Sequence, residues 1–299
     1  MIPNIDQLMR CYAIVSASQR AKTGKPSERT VQNVISGTKA ICKAAGIELK
    51  DSVWCLNRQN IDNALGVLVK KGKSRTTAWS YFFHVQSLFA KWTKPYYIDA
   101  ECEVPEIETP CFRRKLPRYE RPSAEMLRRV KAWYLSLQNN HATQDQRDKL
   151  FVATMMLEFA VRNGDVLRLD ASNFAERDGQ HFLSYTPHKT ELTSGRRVFW
   201  PIHPDIWNFL ESYISGDDPQ VKHLTNDAFR VMNKELRAIG FRGNKALYEL
   251  RKICIDHIYQ RFGAEIATSI SGDDIRTISK YYADPTQPNA GNVRVLDLI

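Results

Sequence analysis

Leu150-Phe151-Val152-Ala153-Thr154-Met155-Met156-Leu157-Glu158-Phe159-Ala160-Val161 is apolar almost all the way round a helical wheel. A helix with no polar face has to be buried on every side, so this stretch predicts the central helix of a domain. It ends at Arg162-Asn163-Gly164. An arginine closing so apolar a helix predicts a half-buried guanidinium, and such a group needs a counter-charge. Asp165 is a candidate for it, although the same residue reads equally as a surface carboxylate. Downstream the period changes. Asp178-Gly179 is a hairpin signal, flanked by short strands near Asn173-Phe174 and over His181–Thr186. Arg196–Trp200 makes a third short strand after a Thr193-Ser194-Gly195 turn. Then helical spacing returns. Phe229, Met232, Leu236 and Ile239 mark a helix stopped by Gly240, another runs from Ala246 to Phe262 and stops at Gly263, and a short one carries Ile275 to Tyr282. The domain that begins beyond Pro122-Ser123 is therefore helical around one small antiparallel sheet.

Upstream, from about Ile5 to Lys94, the pattern is helical throughout. Val31, Val34, Ile35, Thr38 and Ile41 fall on one stripe. Asn60–Val69 repeats the idea with Asn60 as a cap, and a third segment starts near Ser74 and carries Trp79, Phe82, Phe83, Val85, Leu88, Phe89 and Trp92. Three or four such helices make a small bundle. Between two of them lies Lys70-Lys71-Gly72-Lys73-Ser74-Arg75-Thr76-Thr77. A charge run is ordinarily a solvated loop. This one sits at a helix start, where backbone N–H groups, Thr hydroxyls and cations together favour a phosphate, so contact with DNA is the expectation. Asp99–Pro117 is acidic first, broken by Pro105, Pro110 and Pro117, and basic at Arg113-Arg114-Lys115. Prolines at that density favour an extended strap. The predicted organisation is a helical DNA-binding bundle over 1–98, a linker over 99–117 and a second domain over 118–299.

A chain of 299 residues suits two domains, and a hydrophobic fraction of 43% excludes global disorder. The formal charge of +10 favours a polyanionic partner, because each Lys or Arg on a phosphate releases a condensed counterion. The six cysteines, Cys11, Cys42, Cys55, Cys102, Cys111 and Cys254, are scattered without zinc-ligand spacing, so they read as reduced thiols with no metal and no cofactor implied. No basic region followed by an apolar stretch opens the chain, and no apolar run is long enough to span a bilayer. The expectation is a cytoplasmic protein with access to DNA, with no membrane and no small-molecule substrate.

Four short boxes then resemble the tyrosine recombinases and phage integrases. Ala160-Val161-Arg162-Asn163-Gly164-Asp165-Val166-Leu167-Arg168-Leu169 looks like that family's first active-site box. Lys189-Thr190, between the second and third strands, matches the family's hairpin lysine. Tyr248-Glu249-Leu250-Arg251-Lys252 stands where the family usually has His-x-x-Arg. Gly272-Asp273-Asp274-Ile275-Arg276-Thr277-Ile278-Ser279-Lys280-Tyr281-Tyr282 resembles the closing box that carries the nucleophile. The resemblance covers essentially the whole chain and implies a core-binding bundle followed by an α+β catalytic domain.

It also implies site-specific cleavage and rejoining of double-stranded DNA through a 3′-phosphotyrosine. A tyrosine nucleophile conserves the bond energy of the phosphodiester, so strands rejoin without ATP. Two guanidiniums suit the non-bridging oxygens because each presents a planar fork of donors that stays charged. A lysine serves as general acid to the leaving oxygen. The roles that follow are phosphate clamps for Arg162 and Arg251, leaving-group acid for Lys189, a hydrogen bond to phosphate for Tyr248 and attack by Tyr282, with Tyr281 as the alternative nucleophile. Asp273 stands where the family has His or Trp, and a carboxylate beside the scissile phosphate repels it. The rival reading is thus an integrase-fold DNA-binding protein, weak or inactive in strand transfer and regulatory or architectural. A third is a helical module whose basic faces meet acidic proteins. The tail, Pro285–Ile299, resembles segments that dock on a neighbouring protomer in this family, which implies a homotetramer on DNA.

Overall fold

The computed structural model describes residues 3–24, 26–89, 105–112, 119–191, 195–214, 224, 226–243 and 245–282. The chain divides into two compact units, Met1–Pro117 and Arg118–Ile299. It is mainly helical, with one small antiparallel sheet among the described residues.

The first unit is built from α1 (Ile5–Thr23), α2 (Glu28–Ala45), α3 (Arg58–Lys70) and α4 (Arg75–Leu88). Each begins at a side chain that takes up otherwise orphaned backbone N–H groups: Asn4, Ser27, Asn57 and Ser74. Asn57, not Asn60, caps α3. The Asn60 amide donates to Asn57 Oδ1, which places Asn60 in the first helical turn. Ile5, Leu8, Tyr12, Val34, Ile41, Leu65, Phe82 and Val85 fill the core. Residues 105–112 run without regular structure along this unit. Asp62 accepts from the Cys111 and Phe112 amides at 2.9 Å each, and Phe112 stacks on Trp79.

The second unit starts with α5 (Ala124–Asn139), capped by Ser123, and α6 (Gln144–Leu157), opened by a reciprocal pair of bonds between Thr143 and Gln146. Every residue of α6 from Leu150 to Leu157 is buried, as the all-round apolar pattern requires. The helix stops four residues earlier than that pattern suggests. Ala160 takes a left-handed conformation (φ 51°), and Val161 donates to Met155 O at 2.8 Å. Arg162 is consequently extended (φ −76°, ψ 147°) at the head of a single turn, α7 (Asn163–Val166), rather than at the end of α6. Periodicity misplaced the boundary because Phe159, Ala160 and Val161 are buried whether helical or extended.

Strands β1 (Phe174–Arg177) and β2 (Gln180–Tyr185) pair across Asp178-Gly179, both with positive φ as a tight hairpin requires. β3 (Val198–Pro201) pairs with β2 in the register Tyr185↔Val198. One turn of helix, α8 (His188–Glu191), interrupts the β2–β3 connection. α9 (Pro204–Ile214) and α10 (Asn226–Ala238) complete the shell around α6, together with α11 (Ala246–Ser271) and α12 (Ile275–Tyr281). Within α11 the helix from Ala246 stops at Gly263, as expected, where the backbone leaves the helical region (φ 82°, ψ 178°), and a second helical stretch follows across that kink to Ser271. Among the described residues no helix is long and apolar enough to cross a membrane.

Candidate active site

The α6–α7 turn, the end of β2, α11 and the α11–α12 junction bring their charged and phenolic side chains together in the second unit. Arg251, on the inward face of α11, has no side-chain exposure at all. Its Nη2 donates to the Ser271 carbonyl at 3.0 Å and to Asp273 Oδ2 at 2.5 Å. Arg162 approaches the same carboxylate from the other side, with Nη2 donating to Asp273 Oδ1 at 2.6 Å. Each oxygen of Asp273 thus faces a different guanidinium. Burial works against the Arg251 charge, but Asp273 and then the phenols of Tyr282 and Tyr248 outweigh it and hold its pKa above the ordinary arginine value.

Asp165 is buried and is not a surface carboxylate. Its Oδ1 accepts from the His188 amide at 2.9 Å, tying α7 to α8, while Oδ2 stands 3.7 Å from Arg162 Nη1. The nearest counter-charge of Arg162 is therefore Asp273. Asp273, expected to repel a phosphate, is also an ion-pair partner of both arginines, with Asp165 as the second negative charge beside Arg162. Spacing had no means of showing it, because 162 and 273 are far apart in the chain.

Tyr282 is buried, and its hydroxyl lies 2.5 Å from that of Tyr248. The Arg251 guanidinium carbon lies 5.7 Å from the Tyr282 ring centroid. Burial pushes the Tyr282 pKa up. Arg251 opposes the rise, while Tyr248 and Asp273 reinforce it, so the side chain is a neutral phenol at physiological pH. The side chains of Lys189 and Tyr281 lie outside the described residues. The Lys189 backbone sits in α8, beside His188, whose amide is held by Asp165. Pro187 presses on the far side. A Cβ on Gly272 would come within 2.9 Å of Pro187 Cγ, so only glycine allows this approach, and its φ of 63° ends α11.

Tyr185 belongs to the same neighbourhood and was not singled out from sequence. It closes β2, is buried, and its hydroxyl has no hydrogen-bond partner among the described residues. Burial raises its pKa to about 12, with Arg251, Asp165, Arg162 and Asp273 all acting on it. Its place at the end of a strand, four residues before Lys189, was the one available signal.

In the first unit Lys70, Lys71, Lys73, Arg75 and Thr76 are exposed at the end of α3 and the start of α4. Thr77 is partly buried at the same helix start. Its amide and hydroxyl both bond Ser74 Oγ, at 3.0 and 2.8 Å, because they form the cap of α4. Arg75 lies over the Phe112 ring at 4.3 Å. Arg113, Arg114, Lys115 and the tail Pro285–Ile299 lie outside the described residues. No group of three or more His, Cys, Asp or Glu among the described residues is placed to hold a metal ion.

The architecture is that of the tyrosine recombinases. A λ integrase tetramer bound to a Holliday junction superimposes with a TM-score of 0.69 at 14% identity, covering 98% of this chain and 81% of that one. The XerH site-specific recombinase, in a post-cleavage complex with palindromic difH, gives 0.59 at 12% identity, covering 93% of this chain and 92% of that one. The Tn1549 transposon integrase in complex with transposon right-end DNA gives 0.56 at 12% identity over 96% of both. No protein-family model and no curated protein matches the sequence. The likeness is one of fold, and it agrees with the resemblance carried by the four boxes.

Proposed function

We propose that this chain is a site-specific DNA recombinase that cleaves and rejoins strands through a 3′-phosphotyrosine. The observation that carries the reading is the convergence of Arg162 and Arg251 on one buried anion position, held by the Asp273 carboxylate, with the paired hydroxyls of Tyr248 and Tyr282 beside Arg251. In this reading Arg162 and Arg251 hold the non-bridging oxygens of the scissile phosphate. Removing such a donor typically costs about 10²–10³ in rate. Tyr282 Oη attacks phosphorus, the bond to the 5′ oxygen breaks, and Lys189 supplies the proton that oxygen takes. The Tyr282 proton passes to Tyr248 Oη, 2.5 Å away, as Tyr248, which is only partly buried, gives its own proton to water. Rejoining is the reverse, with a 5′ hydroxyl attacking the phosphotyrosine.

The wider reading follows the same line. Residues 1–98 hold DNA, with Lys70, Lys71, Lys73, Arg75 and Thr76 on phosphates and Arg113, Arg114 and Lys115 of the 99–117 linker adding to them. The domain over 118–299 does the chemistry. The chain works as a homotetramer on double-stranded DNA, without a cofactor, in the cytoplasm and as part of a mobile element. Support comes from the net charge of +10 and from solved structures of this fold with DNA, one of them a tetramer. The test is covalent trapping on a nicked or randomised duplex. An SDS-resistant adduct is expected from the wild type and not from Tyr282→Phe. If the adduct instead survives Tyr282→Phe and disappears with Tyr281→Phe, the nucleophile is Tyr281.

One observation favours a second reading, a DNA-binding protein of this fold without strand transfer: the Asp273 carboxylate stands where the phosphate has to go. Failure of the wild type and of every Tyr281 and Tyr248 variant to form an adduct on a proven binding site would establish it.

A further inference from the structure

We infer that Asp273 is a built-in phosphate surrogate, which holds the anion site closed in the free chain and has to withdraw before a DNA phosphate can enter. The inference rests on reading Arg162 and Arg251 as a phosphate clamp, and it adds a resting state and a switch to that site.

The contact has the form of the ligand it replaces. One Asp273 oxygen goes to Arg162 at 2.6 Å and the other to Arg251 at 2.5 Å, as two non-bridging phosphate oxygens would divide between two guanidiniums. The fit is incomplete. Arg162 Nη1 and Arg251 Nε and Nη1 are buried without a hydrogen-bond partner among the described residues, and so is the Tyr185 hydroxyl. Arg251 is wholly buried and Asp273 is only 9% exposed, so solvent does little to satisfy these donors. The Asp273 carboxylate does not reach these leftover donors, and the two non-bridging oxygens of a phosphodiester, set wider on a tetrahedral phosphorus, offer the same charge with further lone pairs to meet them.

Charge decides whether Asp273 stays. Arg162 and Arg251 bring two positive charges, and Asp165 and Asp273 bring two negative ones. A phosphodiester cannot take the Arg162 and Arg251 Nη2 donors while the Asp273 oxygens hold them, and two anions pressed into one place repel each other. Asp165 is fastened to the His188 amide and is the poorer candidate to leave. Asp273 is the single residue between two helix ends, Gly272 closing α11 and Asp274 capping α12 through the Thr277 amide.

The same short segment carries Tyr282, whose amide bonds Ile278 O within the last turn of α12. While Asp273 grips the arginines, the Tyr282 segment is fastened to them too. Entry of a phosphate exchanges one anion for another and releases that segment, so substrate binding and freedom of the nucleophile are one event.

Inorganic phosphate is the probe, titrated calorimetrically into the full chain. Asp273→Asn is expected to bind it about 10–100-fold more tightly than the wild type, the worth of a contact to a buried charged group. Arg162→Gln in the Asp273→Asn background is expected to abolish the gain. A second measurement needs no variant: in the wild type, saturating phosphate is expected to speed amide hydrogen exchange over residues 274–282. Equal phosphate affinity in the wild type and a folded Asp273→Asn overturns the inference, as does unchanged exchange in wild type saturated with phosphate. Tighter phosphate binding by Asp273→Asn upholds it even where no variant forms a DNA adduct, in which case strand cleavage alone falls.

Discussion

Glu158 sits at the end of α6, four residues before Arg162, with its side chain in the core and Oε1 unpartnered among the described residues. Burial pushes its pKa from 4.5 to about 8, and burial likewise raises the Tyr134 phenol and the Cys254 thiol beside it, with Glu158 adding to both. The folded state therefore keeps a proton that the unfolded chain loses near 4.5. Between those two values the native state binds one more proton than the unfolded state, so stability falls as pH rises and levels off above about 8. At about 1.36 kcal/mol per pH unit, the span is worth about 5 kcal/mol, of which about 3 is already lost at pH 7. Glu158→Gln carries no ionisable proton and is expected to remove this slope. The assay is urea unfolding of wild type and Glu158→Gln at half-unit steps from pH 4 to 9, read as the difference between the two stabilities. A difference that stays flat across that range would refute the reasoning and mean that Glu158 is ionised in the fold.

Three further outcomes are expected. Arg251→Met leaves the Asp273 carboxylate buried with one arginine and is expected to cost about 3–5 kcal/mol in urea unfolding, much of it recovered by adding Asp273→Leu; independent costs in the double variant would contradict the pairing. Tyr248→Phe removes the hydroxyl 2.5 Å from Tyr282 and is expected to slow adduct formation about 10-fold or more while DNA affinity stays within twofold; an unchanged rate would exclude Tyr248 from the proton path. Replacing Lys70, Lys71 and Lys73 together with Ala is expected to flatten the slope of log affinity against log salt on duplex DNA by about 3, near one for each phosphate no longer neutralised, and an unchanged slope would leave that loop as a solvated surface.

Much was legible in the chain alone. The polar caps Ser74 and Ser123, the Asp178-Gly179 turn and the apolar run over Leu150–Leu157 act through neighbours a few residues away, so local pattern located two helix starts, the hairpin and the buried centre. Three of the four boxes named residues whose side chains lie together, Arg162, Tyr248, Arg251, Asp273 and Tyr282, while the Lys189 side chain lies outside the described residues. Local pattern failed where burial and backbone shape part company. Phe159–Val161 are as apolar as the helix before them, yet the chain turns at Ala160, and the turn rather than the helix aims Arg162. At Gly263 it held, because a glycine free to take φ 82° stops the helix locally and a second stretch starts beyond the kink.

What tertiary structure alone decided is the electrostatics of the site. Whether Asp273 repels a phosphate or stands in for one depends on which charges lie within about 4 Å of it, and those come from helix ends more than a hundred residues apart in one case and about twenty in the other. The sequence determines the types of charge available, since each residue's chemistry is its own. Coulomb energy depends on separation in space, and only the packing of α7, α11 and α12 around the end of β2 makes two arginines, one carboxylate and two phenols a single site.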